Sequence, residues 1–440
     1  MNHQLNQDDL VGTRLTAGHY AALLICTIVN GLDGFDILTI SYVVGPLSKA
    51  WNLSPTDVGL LLSAGFFGMI GGTAVLSSLA DIIGRKRFIV LCLTFVGIGM
   101  AWSASTHSLY DLAAARVWTG VGLGPATGAL IAIIYEYMPP ARRTMALGIL
   151  GIGFPAGAAL GGLAVAWLLS SHGWQSVFWL CASLTLAFVP VVIWFLPESI
   201  PFIVARRPIN ALTRLNRARK SMRLPPLDFL PEPVARSDTR SPLDVLRGNA
   251  GAAVIKWSAI YFLYMTSFYF ILSWAAKLLS QIGYVSKENI AAASLITAGG
   301  IVGSLAAGPI ARLLGLRVGA ALTLVVMSIL TAAFPIAAGY GSQIYVLAVV
   351  LGWAMWASLI NLYALTAGEF PVNARASGLG LTFGAGRIGA VFGPYAAGVL
   401  LARGFGIGGT CLVLGAPAAV VILFLGHSKY RLSNISSLVD

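Results

Sequence analysis

Runs of about 20 apolar residues recur along nearly the whole chain, and this repetition restricts the possible folds more than any other feature. A helix of that length crosses a hydrocarbon layer of roughly 30 Å. Hydrophobic residues make up 57% of the 440 positions and charged residues 10%. The mean hydropathy is +0.83, well above the range of soluble domains. The sequence therefore predicts an all-α integral membrane protein.

Hydropathy and turn residues divide the apolar runs into twelve predicted transmembrane helices. The predicted spans are residues 17–44, 55–80, 88–106, 109–136, 144–169, 174–196, 251–278, 288–311, 317–338, 343–368, 376–402 and 406–426.

The distribution of charge predicts the orientation of these helices. The first sixteen residues are polar and contain no pattern typical of a signal peptide. Most of the 28 Lys and Arg fall in loops on the side of the termini, and those in loops on the other side are Lys49, Lys277, Lys287 and Arg403. The positive-inside bias then places both termini in the cytoplasm. Topology alone accounts for the net charge of +12, so no nucleic-acid partner is expected.

Cysteine and histidine give little support to an enzymatic site. The four cysteines lie in predicted helices at unrelated spacings, which suits neither a metal site nor a disulfide framework. The five histidines lie in tails, loops or helix ends, so we expect no buried histidine, no metal site and no cofactor. These residues are Cys26, Cys92, Cys181, Cys411, His3, His19, His107, His172 and His427.

An internal repeat organises the chain. The segment ADIIGRKR (80–87) corresponds to ARLLGLR (311–317), with Gly84 and Gly315 separated by 231 residues. The segment YEYMPPARRTMALG (135–148) corresponds to GEFPVNARASGLG (368–380), with Arg143 and Arg375 separated by 232. Because this offset covers six helices, an even number, the two halves have the same orientation. The predicted division is a tail at 1–16, a six-helix bundle at 17–196, a charged, Pro-rich linker at 197–250, a second bundle at 251–426 and a tail at 427–440.

Three motifs give the chain a resemblance to a known family. ADIIGRKR resembles the signature loop of the major facilitator superfamily, and RVWTGVGLG (116–124) resembles its helix 4 motif. DGFD (33–36) resembles the helix 1 signature of the aromatic acid:proton symporter family within that superfamily. The resemblance implies the major facilitator fold of twelve helices in a 6+6 parallel repeat. The loop signature departs from the family at Ser77, which replaces its leading glycine, and Arg312 replaces the acid in the second copy.

The signature loop is also a candidate conformational latch. Asp81 is an acid in a basic loop, where it can cap a helix or bind a basic group, and Gly84 permits a tight turn. Arg85 lies at the level of the lipid headgroups, and Arg143 and Arg375 are the repeated arginines of the other cytoplasmic loops. Charge pairs that hold one access state and release in the other would explain the acid, whereas topology alone would explain only the basic residues.

Asp33 and Asp36 are the candidate proton carriers. The other acids lie in tails, loops or helix ends, so these two are the carboxylates placed inside the bilayer. An ionised carboxylate there costs about 3 kcal/mol on insertion scales. Their i, i+3 spacing places both on one helix face, where they can share a cavity. The alternative is that one of them is a permanent salt-bridge partner.

Arg116 is the expected partner of these acids. Asp36 lies about 12 Å from the outer end of the first helix, and Arg116 lies about 11 Å from the outer end of the fourth. The matched depths predict a pair that changes protonation with access to water or substrate. A fixed ion pair between the two helices is the alternative.

Arg387 is the candidate substrate-binding charge of the second half. It lies in GAGRIGAVFG (384–393), about 18 Å into the eleventh helix, and no acid of the second half lies at that depth. Its planar guanidinium suits a carboxylate, and the neighbouring glycines would allow close approach of a ligand. Pairing with Asp33 is the alternative.

Aromatic side chains on the seventh and tenth helices predict the class of substrate. Trp353 and Tyr264 lie about 15 and 20 Å from helix ends, too deep for interfacial belts. Stacking on an aromatic substrate would explain them, with a Tyr hydroxyl or Asn361 bonding a ring substituent, and ordinary helix packing is an equal alternative. The predicted pocket residues are Tyr261, Tyr264, Phe268, Trp353, Trp356 and Asn361, with Tyr363 on the same helix.

These features, with the resemblance, imply a monomeric, non-enzymatic transporter in a bacterial inner membrane. It would import a small aromatic carboxylate, similar to benzoate or hydroxybenzoate, with protons as the coupling ion. One alternative is a proton-coupled exporter of amphipathic compounds, because GILGIGFPAGAALGG (148–162) loosely resembles an antiporter glycine motif. The other is a membrane receptor that transports nothing, which would not explain the repeat or the buried acids.

Overall fold

The computed structural model describes residue 12 and residues 15–231, 251–337, 342–370 and 372–425, without the side chains of residues 286 and 372–376. All regular elements of this part of the chain are helices, and twelve of them are long and apolar enough to cross a membrane. The prediction of twelve spanning helices is confirmed. They are α1 Ala17–Ala50, α2 Pro55–Leu76, α3 Arg85–Ala104, α4 Leu109–Tyr137, α5 Arg143–Leu168, α6 Trp174–Phe195, α7 Gly251–Gln281, α8 Ser286–Leu314, α9 Leu316–Ala337, α10 Gln343–Glu369, α11 Val372–Ala402 and α12 Gly406–Leu425.

Helix α1 is longer than the sequence predicts. The sequence predicts an end at residue 44, but α1 continues through Pro46 to Ala50. A proline inside a helix removes one backbone hydrogen bond, and neighbouring helices can stabilise the remainder of the helix in a membrane. The extra turns place Lys49 at the end of α1.

Polar residues define the starts of several helices. Ser54 accepts a hydrogen bond from the backbone N–H of Asp57, and Asp57 accepts one from the backbone N–H of Ser54, which forms a capping box before α2. Ser108 accepts from the backbone N–H of Asp111 before α4. These caps supply hydrogen-bond acceptors for N–H groups of the first helical turn, which have no acceptor within the helix.

The predicted linker contains two short helices that the sequence reading did not anticipate, Ile200–Arg206 and Ala211–Ser221. Leu215 and Met222 are completely buried within a hydrophobic cluster that also contains residues of the first helices. The hydroxyl of Thr16, just before α1, donates to the carbonyl oxygen of Met222 at 2.5 Å. The first part of the linker is therefore structurally part of the N-terminal region.

The chain divides into two compact units. The first comprises Met1–Ala235 with Ser273–Ala298, and the second comprises Arg236–Leu272 with Gly299–Asp440. Compactness is a different criterion from the sequence repeat, so the bundle boundaries at 17–196 and 251–426 stay a prediction. The tails at 1–11 and 426–440 and the linker residues 232–250 lie outside the described residues.

Close backbone contacts join the helices of the first unit. Helix α1 packs along α5, and α2 packs along α4. A methyl group on Gly157 of α5 would lie 1.9 Å from the carbonyl oxygen of Gly31 in α1, and one on Gly120 of α4 would lie 2.0 Å from that of Gly65 in α2. Small residues allow membrane helices to approach in this way. The contact with α5 fixes the part of α1 that carries the two acids.

One expectation about histidine is wrong. His19 lies in the first turn of α1, as its place in the sequence suggests, but it is completely buried. Its Nδ1 accepts a hydrogen bond from the backbone N–H of Thr16 at 3.1 Å. Its contact with the capping residue gives this histidine a structural explanation.

Candidate functional site

The two acids of α1 are buried in the first compact unit. Asp33 is 2% exposed and Asp36 is 1% exposed. The Oδ2 atom of Asp33 and the Oδ1 atom of Asp36 have no hydrogen-bond partner among the described residues. A buried polar atom without a partner is costly, and such atoms in a native protein call for a functional explanation.

The side chain of Arg116 contacts the main chain of Asp36. Its Nη2 donates to the main-chain carbonyl oxygen of Asp36 at 3.0 Å, and its Nη1 contacts the sulfur of Met100 at 3.2 Å. The structure therefore brings the predicted partners together, although α1 ends six residues later than the comparison of depths assumed. The hydrogen bond, however, is to the peptide group and not to the carboxylate. The guanidinium also lies over Gly65 of α2, where a methyl group would be 3.6 Å from Nη2.

The carboxylate of Asp36 contacts α6. Thr185 is completely buried, and its hydroxyl donates to Asp36 Oδ2 at 3.3 Å. Cys181, one helical turn earlier, lies 3.1 Å from the hydroxyl of Thr39. The sequence reading missed Thr185, because a threonine in an apolar helix carries no signal until its neighbour is known.

Arg387 lies among aromatic side chains in the second unit. It is partly buried on α11 and interacts electrostatically with Tyr269 of α7 and Tyr363 of α10. The rings of Tyr261 and Tyr363 are stacked with centroids 5.8 Å apart. Phe383, one turn before Arg387, contacts both of these rings, at 5.0 and 4.8 Å. A guanidinium beside aromatic faces is an arrangement that can receive an aromatic acid.

A second aromatic group is continuous with the first along α7. Phe268 contacts Tyr264 at 5.7 Å and Trp356 at 4.9 Å between ring centroids. Phe268 also contacts Tyr269 at 5.2 Å, and Tyr269 in turn interacts with Arg387. The structure thus brings together four of the predicted pocket residues, which are Tyr261, Tyr264, Phe268 and Trp356. The sequence reading missed Tyr269 and Phe383.

The tyrosine hydroxyls of this group already have protein partners. Tyr264 donates to the carbonyl oxygen of Met355 and accepts from Ser358 at 3.4 Å. The hydroxyl of Tyr261 accepts from Thr366 at 3.3 Å. These hydrogen bonds therefore fix the two rings in place, and both side chains are completely buried.

No ring stacking or hydrogen bond joins Asn361 or Trp353 to the aromatic rings described above, within the part of the chain that the structure describes. Asn361 is 1% exposed, and its Nδ2 has no hydrogen-bond partner in the described structure. That nitrogen would be 3.6 Å from a methyl group on Gly319, so the side chain faces α9. The backbone of Trp353 packs on Gly303 of α8. The pocket role predicted for these two residues stays a prediction, without a contact to the rings that supports it.

The glycines around Arg387 serve mainly to pack helices. Methyl groups on Gly389 and Gly393 would lie 2.3 Å from carbonyl oxygens of α7, and one on Gly386 would lie 3.2 Å from Tyr261 Cβ. Space remains at Gly384, where a methyl group would meet nothing within 4 Å. The expected approach of a ligand to these glycines is therefore restricted to Gly384.

The candidate latch residues Asp81, Gly84 and Arg85 lie together in one ion cluster. Arg85 Nη1 is 2.7 Å from Asp81 Oδ1, and Arg85 Nη2 is 3.2 Å from Glu136 Oε1. Arg206, in the first linker helix, donates to the carbonyl oxygen of Asp81 at 3.0 Å. The cluster therefore connects the signature loop, the end of α4 and the linker.

Gly84 is required by the backbone conformation and by its surroundings. Its φ of 101° lies in a region that other residues rarely adopt. A methyl group there would be 2.4 Å from a carboxylate oxygen of Glu198. Glu198 itself accepts from the backbone N–H of Lys86 at 3.1 Å.

The sequence reading missed Glu136 and Glu198, which belong to the same cluster. Both acids lie in segments that are otherwise basic or apolar, YEYMPPARR and PESIPF. Asp81 was selected for the same property, since it is an acid in a basic loop. Glu136 also accepts a hydrogen bond from the hydroxyl of Ser199.

Arg143 lies outside the ion cluster. Its Nε donates to the carbonyl oxygen of Met138 at 3.2 Å, and its guanidinium lies 4.2 Å from the centre of the Tyr135 ring. These contacts stabilise the connection between α4 and α5. The side chain of Arg375, its repeat counterpart, lies outside the described residues.

Comparison with known proteins gives relatives of one kind over nearly the full length. The chain is 28% identical over 423 residues to a gallate transporter of Pseudomonas putida, covering 95% of this chain and 94% of that protein. It is 27% identical to a 4-hydroxybenzoate transporter of Acinetobacter baylyi, covering 91% and 90%. It is 24% identical to a benzoate transport protein of the same species, covering 100% and 97%. These relatives confirm the resemblance to aromatic acid transporters.

Solved structures agree with the fold. The inward-open xylose transporter XylE from Escherichia coli has a TM-score of 0.72 at 17% identity, covering 95% of this chain and 98% of that one. The bacterial homologue of the lysosomal transporter Spinster has a TM-score of 0.69 at 19% identity, covering 93% and 95%. The family model of the Major Facilitator Superfamily matches residues 23–315, well over half of the chain. The protein is therefore a multi-pass membrane protein that belongs to the Major Facilitator Superfamily.

Proposed function

We propose that this protein is a secondary active transporter that imports a small aromatic carboxylate together with protons. The relatives named for gallate, 4-hydroxybenzoate and benzoate support the class of substrate. The chemistry requires neither a cofactor nor a metal, because the free energy comes from the proton gradient. The working protein is a monomer in a bacterial inner membrane, with both termini in the cytoplasm.

The observation that carries proton coupling is the pair of buried acids in α1. Asp33 and Asp36 are one helical turn apart, and each has a carboxylate oxygen that accepts no hydrogen bond from the described residues. Transfer of an ionised carboxylate to the bilayer centre costs about 3 kcal/mol on insertion scales, so acids retained there have a function by default. An acid in such a place is suited to alternate between an ionised and a protonated form as access to water changes.

Arg387 and the surrounding rings support recognition of an aromatic anion. The guanidinium supplies a planar pair of donors for a carboxylate, and such bidentate contacts are among the stronger hydrogen bonds in proteins. Tyr363 and Phe383 supply faces and edges for an aromatic ring within the same part of the second unit.

The proposed cycle starts with the site open to the outside. One of the two acids takes a proton and the substrate docks on Arg387. Alternating access then exposes the occupied sites to the cytoplasm, where the higher pH favours release of the proton. Arg116 lies against the backbone of Asp36 and would stabilise negative charge there after release. Each net charge moved across the membrane is worth about 2.3 kcal/mol per 100 mV, so the potential assists uptake only if more than one proton accompanies a monoanion.

Uptake into liposomes tests this function and its direction. Purified protein in sealed vesicles should accumulate labelled 4-hydroxybenzoate when the outside is made acidic, and a protonophore should abolish that accumulation. Export driven by the same gradient would favour the alternative of a proton-coupled exporter. Absence of any protein-dependent flux of aromatic acids would overturn the proposal.

A further inference from the structure

A cavity at the end of α1 has the composition of a second site for the transported anion. Its volume is about 140 Å³, and all of its lining residues belong to the first compact unit. An engineered apolar cavity of about 150 Å³ in another protein holds a benzene ring, so this space is of the right size for one small aromatic molecule. The polar lining residues are Ser41, Tyr42, Lys49, Ser280 and Asn289, and the apolar ones include Pro46 and Ile290.

Two lysines lie at or near this cavity. Lys49 lines it directly, and Lys277 lies close enough to Lys49 for their charges to interact. The ammonium group of Lys277 donates to the hydroxyl of Ser48. Two lysines held near each other leave a net positive potential that a small anion would reduce.

One acid, Glu288, is adjacent in the sequence to a residue that lines the cavity. Glu288 precedes the buried Asn289, but its carboxylate accepts from the backbone N–H of Val285 at 3.4 Å, and the side chain is exposed. This contact caps the start of α8. Since no described acid forms a salt bridge with Lys49, its charge is available to a ligand.

The cavity also results from the local backbone. Pro46 cannot donate a hydrogen bond to the carbonyl oxygen of Tyr42, which is its partner position in a regular helix. A methyl group on Gly45 would meet nothing within 4 Å, so the helix surface is open here. The hydroxyl of Tyr42 donates to the carbonyl oxygen of Ala158 at 3.0 Å, which holds the ring beside the open space.

We infer that this cavity is a second binding site, in which Lys49 binds the carboxylate of a small aromatic acid and the apolar wall around Tyr42 and Ile290 receives its ring. The inference rests on the proposed function for the identity of the ligand and for the outward orientation of Lys49. The site captures the anion from the external solution, separately from Arg387, which lies in the other compact unit. Rim charges of this kind act mainly on association rates and on salt dependence.

Transport kinetics provide the first test, with a matched control. Lys49→Gln should raise the KM for 4-hydroxybenzoate about tenfold, the size expected for one charge-assisted hydrogen bond, and leave the maximal rate unchanged. Lys49→Arg should restore most of the affinity. Lys287→Gln removes the same charge from an exposed residue that does not line the cavity, so its KM should equal that of the unaltered protein. Equal KM values for Lys49→Gln and Lys287→Gln would overturn the inference.

Thiol protection provides a direct test of occupancy. The four natural cysteines are buried, so Ser280→Cys introduces a thiol that a membrane-impermeant maleimide can distinguish. Benzoate should slow the labelling of this thiol, whereas benzyl alcohol and chloride should not. The protection by benzoate should persist when Arg387→Ala is added but disappear when Lys49→Gln is added. Protection that requires Arg387, or that chloride reproduces, would contradict the site.

These outcomes separate the inference from the proposed function. If the unaltered protein takes up aromatic acids but Ser280→Cys is not protected and Lys49→Gln is kinetically normal, the second site is wrong and the transporter assignment stands. If the unaltered protein neither transports nor binds aromatic acids, the proposed function itself fails.

Discussion

Arg116 donates a hydrogen bond of 3.0 Å to the main-chain carbonyl oxygen of Asp36, while the carboxylate of that residue receives a hydrogen bond from Thr185 at 3.3 Å. The arginine is therefore held beside the acid by a peptide group whose charge never changes. An arginine fixed in this manner can stay in place while the carboxylate gains and loses a proton. This suits a site that repeats the same protonation step in every cycle.

The first prediction concerns Asp33 and Asp36. Conversion of either residue to Asn removes a titratable group and keeps its size, so accumulation of substrate driven by a pH gradient should fall to the equilibrium level. Removal of a proton step leaves the ligand site in the other unit intact. Exchange of labelled for unlabelled substrate should therefore survive in at least one of the two variants.

Both measurements are made on liposomes from one preparation of each variant, so that loss of folding would reduce both. Asp36→Asn should have the larger effect because this residue contacts both Arg116 and Thr185. If both Asn variants still concentrate substrate against a gradient, the acids are structural.

The second prediction concerns Arg387. Replacement by Lys keeps the charge but loses the bidentate geometry, so the affinity for aromatic acids should fall about tenfold or more. Equilibrium binding of 4-hydroxybenzoate to the purified variants measures this change, and thermal unfolding checks that the fold is intact. Arg403→Lys is the control, since Arg403 is exposed at the end of α11. Unchanged affinity in Arg387→Lys and Arg387→Ala would exclude the assignment.

The third prediction concerns the cytoplasmic ion cluster. Asp81→Asn removes one contact of Arg85, but the side chain of Asp81 is 48% exposed, so the change in free energy should be no more than about 1 kcal/mol. Glu136→Gln should shift the populations of the access states further, because the side chain of Glu136 is only 15% exposed. Distances between spin labels on the two halves report these populations.

Asp228→Asn serves as a control for the loss of an acid, because Asp228 is exposed in the linker. Identical distance distributions in the unaltered protein, Asp81→Asn and Glu136→Gln would show that this cluster is not a latch.

The fourth prediction concerns the contact of α1 with α5. Gly157→Ala forces a methyl group against the backbone of Gly31, so the protein should lose about 1–3 kcal/mol of stability or fail to fold. Gly151→Ala, on the same helix, meets nothing within 4 Å and should leave stability unchanged or slightly increased. Melting temperatures in detergent compare the two, and equal values would contradict the close packing.

The sequence was sufficient for the spanning helices because length and hydropathy are properties of each segment alone. The pairing of Asp36 with Arg116 was predicted correctly, but the depth of Asp36 was not, because α1 ends six residues after the expected end at residue 44. The chemical group through which they meet was not predictable, because side-chain and main-chain oxygens of one residue lie at almost the same depth.

The remaining errors have a common physical origin. The end of α1 beyond Pro46, the burial of His19 and the contacts of the α11 glycines all depend on which helix lies opposite. A sequence pattern reports how apolar a helix face is but does not identify its neighbour. Thr185 was missed for the same reason.

The glycine contacts between α1 and α5 also determine how this transporter can move. Gly34 meets the backbone of Phe154, and Gly153 meets that of Thr27, so the two helices touch through main-chain atoms on both sides of Asp33. At these points main-chain atoms meet directly, so a change of side-chain rotamer there could not let one helix slide past the other. Helices α1 and α5 should therefore move together as one rigid body that includes the two acids. The bending that opens and closes the transport path must then occur in other helices.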